Sequence, residues 1–160
     1  MQDLTSLILG NYQLSDVLKM VAELFYRCGS FDRVVVSTLD RPSQCLVGRV
    51  AFGPHGNRLR TAFRIPLAFA PDVFHAALSK GQDILISDAT AENIRNRIPE
   101  WHQRSTSAHA FLLLPITVNT KPVAMLYADR LDEPLQLSSQ ILGMLKALRN
   151  QATLAIRQKL

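Results

Sequence analysis

The sequence has 160 residues, of which 48% are apolar and 19% are charged, and its formal net charge is +5. This composition excludes a disordered or fibrous chain, and the length fits a single domain. The longest stretch without a formal charge, 105–120, contains Ser, Thr, Asn and Pro and falls short of the roughly 20 apolar residues that span a bilayer. We expect one globular domain over 1–160 and no membrane partner.

The start of the chain and its cysteines bear on the cellular compartment. The first residues lack the basic start of a secretory signal, and the chain has two cysteines, Cys28 and Cys45. In a chain without an export signal, such a pair is typical of two reduced thiols. We expect a cytoplasmic protein.

The positive charge is concentrated in 31–70, which holds six arginines and two aspartates. Arg58, Arg60 and Arg64 alternate with apolar residues, which is typical of a solvated strand, and no run of Lys and Arg accompanies them. The pattern predicts an exposed hairpin and no nucleic-acid partner.

The first predicted elements are a helix and a hairpin. Residues 1–13 are expected to form an N-terminal extension with a helical turn near Leu7, and apolar residues then recur at helical spacing over 14–28. The β-branched segment 33–39 and the segment 45–52 predict two paired strands around a turn. The helical stripe comprises Leu14, Val17, Leu18, Val21, Leu24, Phe25 and Cys28.

The middle of the chain predicts a third extended segment over 59–67, a short helix and a fourth strand. Pro71 at the start of a helix and Gly81 just after its end fit the positions these residues prefer. Residues 83–88 predict the strand, whereas 89–107 is polar. The large apolar residues of this polar segment are Ile94, Ile98 and Trp101.

Two strongly apolar segments, 111–118 and 122–129, predict a hairpin around the turn at 119–121. A two-residue turn sets a register in which two bulky residues of each strand share one face of the hairpin. Small residues of the second strand lie on the other face, where they allow a helix to pack closely against the sheet. The four bulky residues are expected to pair as Leu114 with Met125 and Leu112 with Tyr127.

The final predicted element is a long helix over 138–160, which begins at Ser138 as its N-cap. A helix of about 22 residues measures about 33 Å, more than a domain of this size needs for its own core. We therefore expect part of its apolar stripe to pair with another chain or to continue into a neighbouring domain. The stripe comprises Ile141, Leu145, Leu148, Ala152, Ala155 and Ile156.

This order of elements, together with several short segments, resembles a GAF domain over nearly the whole chain. The segments enter the first strand, begin and end the last hairpin, and lie in the final helix. Together they are most similar to the GAF domains that accompany HDOD signalling domains in bacteria. They are Phe31-Asp32-Arg33-Val34-Val35, Phe111-Leu112-Leu113-Leu114-Pro115, Tyr127-Ala128-Asp129-Arg130 and Leu148-Arg149-Asn150-Gln151-Ala152.

The resemblance implies an α+β fold with a central antiparallel sheet of five or six strands. It places the N- and C-terminal helices on one face of the sheet and short helices and loops over a pocket on the other. It also implies a homodimer through the terminal helices and an attached signalling output domain. Family members bind cyclic nucleotides, bilins, haem or small metabolites, so the resemblance names no ligand or cofactor for this chain.

Several known chemistries of the family lack their residues here. The spaced Asn, Lys, Phe, Asp and Glu signature of cyclic-nucleotide binding cannot be traced, and neither cysteine precedes a His, as bilin attachment often requires. The strongest enzyme alternative, free methionine sulfoxide reductase, clusters its thiols at the pocket, whereas Cys28 closes a helix face and Cys45 opens a strand. The four histidines form no HExxH or other metal spacing. We predict no catalytic residue and no metal site.

The candidate ligand pocket combines two arginines with an apolar wall. A guanidinium on a strand needs solvent or a partner, so Arg49 and Arg64 are expected either at the surface or holding an anionic ligand through paired hydrogen bonds. The wall residues fit a pocket lining and plain core equally well. They are Phe74, Trp101, Leu112, Leu114, Met125 and Tyr127.

The sequence predicts a non-catalytic regulatory module that senses a small molecule and dimerises within a bacterial signal-transduction protein. Two alternatives stay open. One is a module whose cavity is filled by its own side chains and which only dimerises, and the other, less favoured, is an enzyme of the free methionine sulfoxide reductase type. Ligand-dependent thermal stabilisation and the effect of Cys45→Ser on sulfoxide reduction separate the three.

Overall fold

The structure, a computed structural model, describes residues 13–159, so the predicted helical turn near Leu7 lies outside the described residues. The helices are α1 (Leu14–Arg27), α2 (Gly56–Ala62), α3 (Val73–Lys80), α4 (Glu92–Arg95), α5 (Glu100–Thr106) and α6 (Ser139–Gln158). The strands are β1 (Arg33–Asp40), β2 (Cys45–Phe52), β3 (Arg64–Pro66), β4 (Ile84–Ile86), β5 (Ala110–Val118) and β6 (Lys121–Arg130).

The six strands of the described region form one sheet in the order β3-β2-β1-β6-β5-β4, and neighbouring strands are antiparallel throughout. Both predicted hairpins, β1 with β2 and β5 with β6, are present. Asn119 and Thr120 connect β5 to β6 with φ values of 53° and 66°, the left-handed values that a tight two-residue hairpin turn requires. The predicted α+β class and antiparallel sheet are confirmed.

The terminal helices α1 and α6 cover one face of the sheet. Leu145, Ala152, Ala155 and Ile156 of α6 all lie in the core between these helices and the strands. The predicted stripe of α6 therefore covers the domain's own sheet, and any pairing with another chain must use a different side of this helix. In α1, Leu24 departs from the predicted stripe and is 40% exposed. Within 13–159, no helix combines the length and apolarity needed to cross a membrane.

The shorter helices cover the opposite face, and one of them replaces a predicted strand. The expected extended segment over 59–67 is wrong in its first half, which forms α2. Leu59 and Phe63 are four residues apart and at most 2% exposed, and a helical turn brings such residues to one face whereas a strand of this length would spread them along it. Arg58 and Arg60 are exposed, as predicted, but on a helix.

The register between β5 and β6 differs by one residue from the predicted one. An irregularity next to Ile116 pairs Leu112 with Ala128 instead of Tyr127. Because alternate residues of a strand point to opposite faces, a shift of one residue exchanges the faces. Leu112 and Leu114 therefore lie in the core beneath the terminal helices, while Tyr127 stays on the opposite face.

Local capping residues explain where two helices begin. The Asp72 carboxylate accepts the backbone N–H of His75 at 2.9 Å, so α3 begins two residues after Pro71. The predicted cap of α6 is confirmed, because the Ser138 hydroxyl oxygen accepts the N–H of Ile141 at 3.1 Å. Side chains at this position satisfy a backbone donor that has no partner within the helix.

Gly48 in β2 lies directly beneath α2. A Cβ at this position would be 2.3 Å from the backbone oxygen of Arg60, so Gly48→Ala must push α2 away from the sheet. We expect it to lower the free energy of unfolding in urea by about 1–3 kcal/mol, the usual cost of overpacking. Gly56→Ala, at the start of α2, is the matched control, because a Cβ there would lie 3.5 Å from the nearest atom, an ordinary contact distance, and Ala favours a helix over Gly. Unchanged stability in Gly48→Ala would contradict this packing.

Candidate functional site

The sheet face opposite the terminal helices carries a group of aromatic side chains, which we call the aromatic cluster. The ring centroids of Phe63 and Tyr127 are 4.6 Å apart, and those of Phe74 and Trp101 are 5.2 Å apart. Apart from the half-buried Trp101, the members are at most 1% exposed, so side chains of the chain itself fill this region. The aromatic cluster comprises Phe63, Phe74, Trp101, Phe111 and Tyr127.

Half of the predicted pocket residues come together on this face. Met125 packs in the same core as the aromatic cluster and is 1% exposed. Leu112 and Leu114 do not join it, because the register of the last hairpin turns them to the terminal helices. The predicted residues that the structure brings together are Phe74, Trp101, Met125 and Tyr127.

The two predicted arginines lie at the surface, away from the aromatic cluster. Arg49 is exposed and its Nε donates to the Thr38 hydroxyl oxygen at 2.9 Å, and Arg64 is exposed on the edge strand β3. A hydrogen bond from the Ser43 hydroxyl lowers the pKa of Asp40, and the positive charges of Arg49 and Arg64 lower it further. Both guanidinium groups therefore act at the turn end of β1 and not at the core.

Next to the aromatic cluster, and sharing Tyr127 with it, lies a set of hydrogen-bonded side chains, which we call the buried network. Arg33 and Asp129 stand opposite each other on β1 and β6. The Arg33 Nε and Nη2 atoms donate to the two carboxylate oxygens of Asp129 at 3.1 and 2.8 Å. Nη2 also donates to the backbone oxygen of Thr106, the last residue of α5. The buried network comprises Arg33, His102, Thr106, Tyr127 and Asp129.

The buried network determines which ring nitrogen of His102 carries hydrogen. The Tyr127 hydroxyl donates to Asp129 at 2.7 Å, and the Thr106 hydroxyl donates to the His102 backbone oxygen at 2.7 Å. Each hydroxyl has one hydrogen to donate, so His102 Nε2, which is 2.8 Å from the Tyr127 oxygen, must be the donor in that contact. His102 Nδ1 is then an acceptor, and it has no partner among the described residues.

Burial keeps the ring of His102 and the phenol of Tyr127 uncharged. Burial, with a smaller contribution from the Arg33 charge, lowers the pKa of His102 to about 3. Burial also raises the pKa of Tyr127 well above its usual range, and it raises the pKa of Asp129 against the hydrogen bonds from Arg33. At neutral pH, His102 therefore donates through Nε2 and accepts through Nδ1.

Sequence reasoning missed the buried network, although two of the segments quoted above contain most of it. Arg33 lies at the entry to β1, and Tyr127 and Asp129 lie at the end of β6. An Arg and an Asp in otherwise apolar strands signal a buried pair, since an unpaired charge there would be costly. His102 gave no such signal, because it lies in a polar segment whose fold was not predicted.

A surface depression of about 230 Å³ lies between α4, α5 and the loops beside them, and we call it the α5 depression. His102 and the next residue in the chain, Gln103, both line it. The Gln103 side-chain amide donates to the backbone oxygens of Arg95 and Ile98, both at 3.1 Å. The lining residues are Ala89, Thr90, Arg95, Ile98, His102, Gln103, Ser107 and Ala108.

Arg149 ties α6 to the other end of the sheet. Its Nη1 atom donates to Asp83 at 2.7 Å and to the Pro115 backbone oxygen at 3.2 Å. Asp83 comes directly before β4, and Pro115 lies in β5. Arg149 therefore links the start of β4 and the middle of β5 to the middle of the terminal helix.

The cysteines lie at opposite ends of β1. Cys45 stands opposite Asp40 at the end of this strand, whereas Cys28 precedes its start. Eight residues of strand span about 25 Å, far beyond the reach of a disulfide. The structure thus does not bring the two thiols together. Residues 13–159 contain no group of three or more His, Cys, Asp or Glu side chains that would hold a metal.

The neutral state of His102 makes stability depend on pH. Its pKa of about 3 in the fold lies below the ordinary value of 6.5, so below pH 6.5 the unfolded chain takes up a proton that the folded chain refuses. The stabilisation is complete above pH 6.5 and decreases as the pH falls. We expect the free energy of unfolding of the wild type to fall between pH 6 and 4 by about 1.4 kcal/mol per pH unit more than that of His102→Gln. Parallel pH profiles would contradict a neutral His102.

Comparisons with solved structures find the same fold across the chain. A methyl-accepting chemotaxis protein (residues 122 to 287) superimposes with a TM-score of 0.78 at 20% identity, covering 98% of this chain and 96% of that one. A GAF domain/HD domain protein from Geobacter sulfurreducens gives a TM-score of 0.74 at 16% identity, with coverage of 98% and 97%. Free methionine-R-sulfoxide reductase from Neisseria meningitidis gives 0.70 at 19% identity, with coverage of 98% and 87%.

Sequence comparison places the chain in a family. Among curated proteins, no sequence matches this chain significantly. The model of the GAF domain family matches residues 13–156, which include every strand and most of α6. The chain therefore belongs to the GAF domain family, whose members are generally regulatory sensory modules of signalling proteins.

Proposed function

We propose that this chain is the regulatory module of a cytoplasmic bacterial signal-transduction protein, which dimerises through its terminal helices and responds to a small molecule. The observation that carries this proposal is the outer side of α6, away from the sheet. Met144 and Leu154 on this side are 44% and 46% exposed. Exposed apolar side chains concentrated on one surface are typical of an interaction site.

Apart from the exposed Arg157 near its end, the outer side of α6 is also free of formal charge. The charged residues Lys146 and Arg149 lie on the flank that faces Asp83. Beyond α6, Leu24 of the neighbouring α1 adds a further apolar side chain that is 40% exposed. A second copy of the same two helices fits such a surface, because the uncharged positions around Met144 and Leu154 demand no compensating charge. The outer side comprises Gln140, Gly143, Met144, Ala147, Gln151 and Leu154.

A sensing role requires that a ligand on one face affect the helices on the other. Arg149 supplies such a connection, since it bonds Asp83 before β4 and Pro115 in β5. A ligand that shifts β4 favours one packing of α6 over another and so changes the dimer. We infer an attached output domain of the HDOD type from the resemblance of the strand and helix segments. The similar protein from Geobacter sulfurreducens is itself described as a GAF domain/HD domain protein.

The arrangement of the cysteines supports a non-catalytic role. One similar structure is a methionine sulfoxide reductase, and reduction by thiols requires a second thiol within reach of the first. Cys28 and Cys45 lie at opposite ends of β1 and do not meet this requirement.

A module that only dimerises is the second candidate. The observation that favours it is the aromatic cluster, whose side chains already fill the sheet face on which the family resemblance places a pocket. This candidate and the sensing module share the same dimer and differ in whether a ligand changes it.

We expect the wild-type chain to be a dimer by multi-angle light scattering, and Met144→Asp with Leu154→Asp to be a soluble monomer. Burying two carboxylates against a second copy of an apolar surface without partners is unfavourable. Phe69→Asp is the matched control, because Phe69 is 72% exposed outside the terminal helices, and it should stay dimeric. A monomeric wild type, or a double variant with the mass of the dimer, would refute this interface.

A further inference from the structure

We propose that the α5 depression binds a small carboxylic acid that carries an N–H or O–H donor close to its carboxylate, such as a hydroxy acid or an amino acid. This inference rests on the proposed sensing function and assigns that function a site. The site lies between α4, α5 and the loops beside them. It does not lie on the sheet face, because the aromatic cluster fills the space there.

The first requirement of the ligand comes from His102. Its Nε2 is committed to Tyr127, and Nδ1 is a buried acceptor with no partner among residues 13–159. An acceptor in this position is destabilising unless a donor reaches it. His102 lines the α5 depression and is 1% exposed, so a ligand there must offer an N–H or O–H group.

The second requirement comes from Arg95. Of the eight described residues that line the α5 depression, Arg95 alone is charged. Its guanidinium is exposed and forms no ion pair with a described acidic residue. A planar guanidinium with free donors matches a carboxylate through two parallel hydrogen bonds.

The size of the α5 depression limits the ligand. The α5 depression has a volume of about 230 Å³, which is the volume of about eight water molecules at roughly 30 Å³ each. Sites for drug-sized ligands are larger, at roughly 300–1,000 Å³. A nucleotide or a bilin is therefore too large. An acid of six to eight non-hydrogen atoms, roughly one per water volume, fits.

Access to His102 Nδ1 requires a local movement, and Gln103 is placed to make it. Gln103 is exposed, and its side chain is held by two hydrogen bonds to the carbonyl oxygens of Arg95 and Ile98. A ligand that displaces the Gln103 side chain breaks these two bonds and frees α4, a four-residue helix without a buried residue, to move. Binding thus opens the site that it occupies.

The α5 depression is also placed to affect α6. Ala89 and Thr90 line it and follow the three-residue β4, while Asp83 precedes the same strand and bonds Arg149. A ligand that displaces the end of β4 therefore acts on the start of this strand and, through Arg149, on the terminal helix. This route assigns the sensed signal a path to the dimer.

The experiment titrates the intact chain with L-lactate, L-alanine and propionate, following the His102 ring signals by NMR. Propionate is the matched control ligand, since it has the carboxylate without the donor. We expect L-lactate or L-alanine to shift the His102 signals and to bind about tenfold more tightly than propionate, because only they can bond Nδ1. Arg95→Gln should weaken this binding about tenfold, whereas Arg104→Gln, which removes an exposed charge from the next helix, α5, should not.

The results separate this inference from the proposed function. Three results would overturn the assignment of the α5 depression as a binding site: none of the three acids binds, all three bind equally, or Arg95→Gln binds as tightly as the wild type. None of these results bears on the dimer, which light scattering tests separately. Binding that follows the expected pattern but leaves the dimer dissociation constant unchanged would keep the site and overturn its role in sensing.

Discussion

The ion pair between Arg33 and Asp129 holds the two halves of the sheet and one of its covering helices in a single arrangement. The pair joins β1 to β6, the central strands, and a third bond from Arg33 reaches the end of α5. Because both charges are removed from water, each is costly without the other, and their paired hydrogen bonds allow few alternative positions. Tyr127 and His102 extend this constraint to the ring that faces the α5 depression.

The sheet then separates two surfaces of different character. On one face, the inner side of α6 completes the core and leaves Met144 and Leu154 exposed on its outer side. On the other face, the aromatic cluster fills the space next to the strands. The α5 depression, with its polar lining, lies among α4, α5 and the loops beside them. Arg149 connects the two through Asp83. These bonds give a change in the short helices a physical route to the outer side of α6, the proposed dimer surface.

The long apolar periods of the sequence predicted most of the fold, whereas short segments and the site needed three-dimensional information. Helical spacing identified α1 and α6, and the turn at 119–121 identified the last hairpin. The one-residue irregularity beside Ile116 has no sequence signal, and it alone moved Leu112 and Leu114 to the other face. Part of α2 resembles a strand because Arg58 and Arg60 flank Leu59, an alternation that is typical of a solvated strand. One residue of the predicted site, Tyr127, belongs to the buried network. The role of His102 could not be predicted from the sequence, because its tautomer depends on contacts with Tyr127 and Thr106 that only the fold brings about.

The attachment of α5 to the sheet depends on the buried charges, and not on apolar contacts alone. Native-state hydrogen exchange of Asp129→Asn, compared with the wild type, tests it directly, because amides exchange when their own segment opens. We expect the α5 amides to lose protection by a larger factor than those of α3, which packs on the same face without a bond to Arg33 or Asp129. Protection that stays unchanged in α5, or that falls equally in both helices, would contradict it.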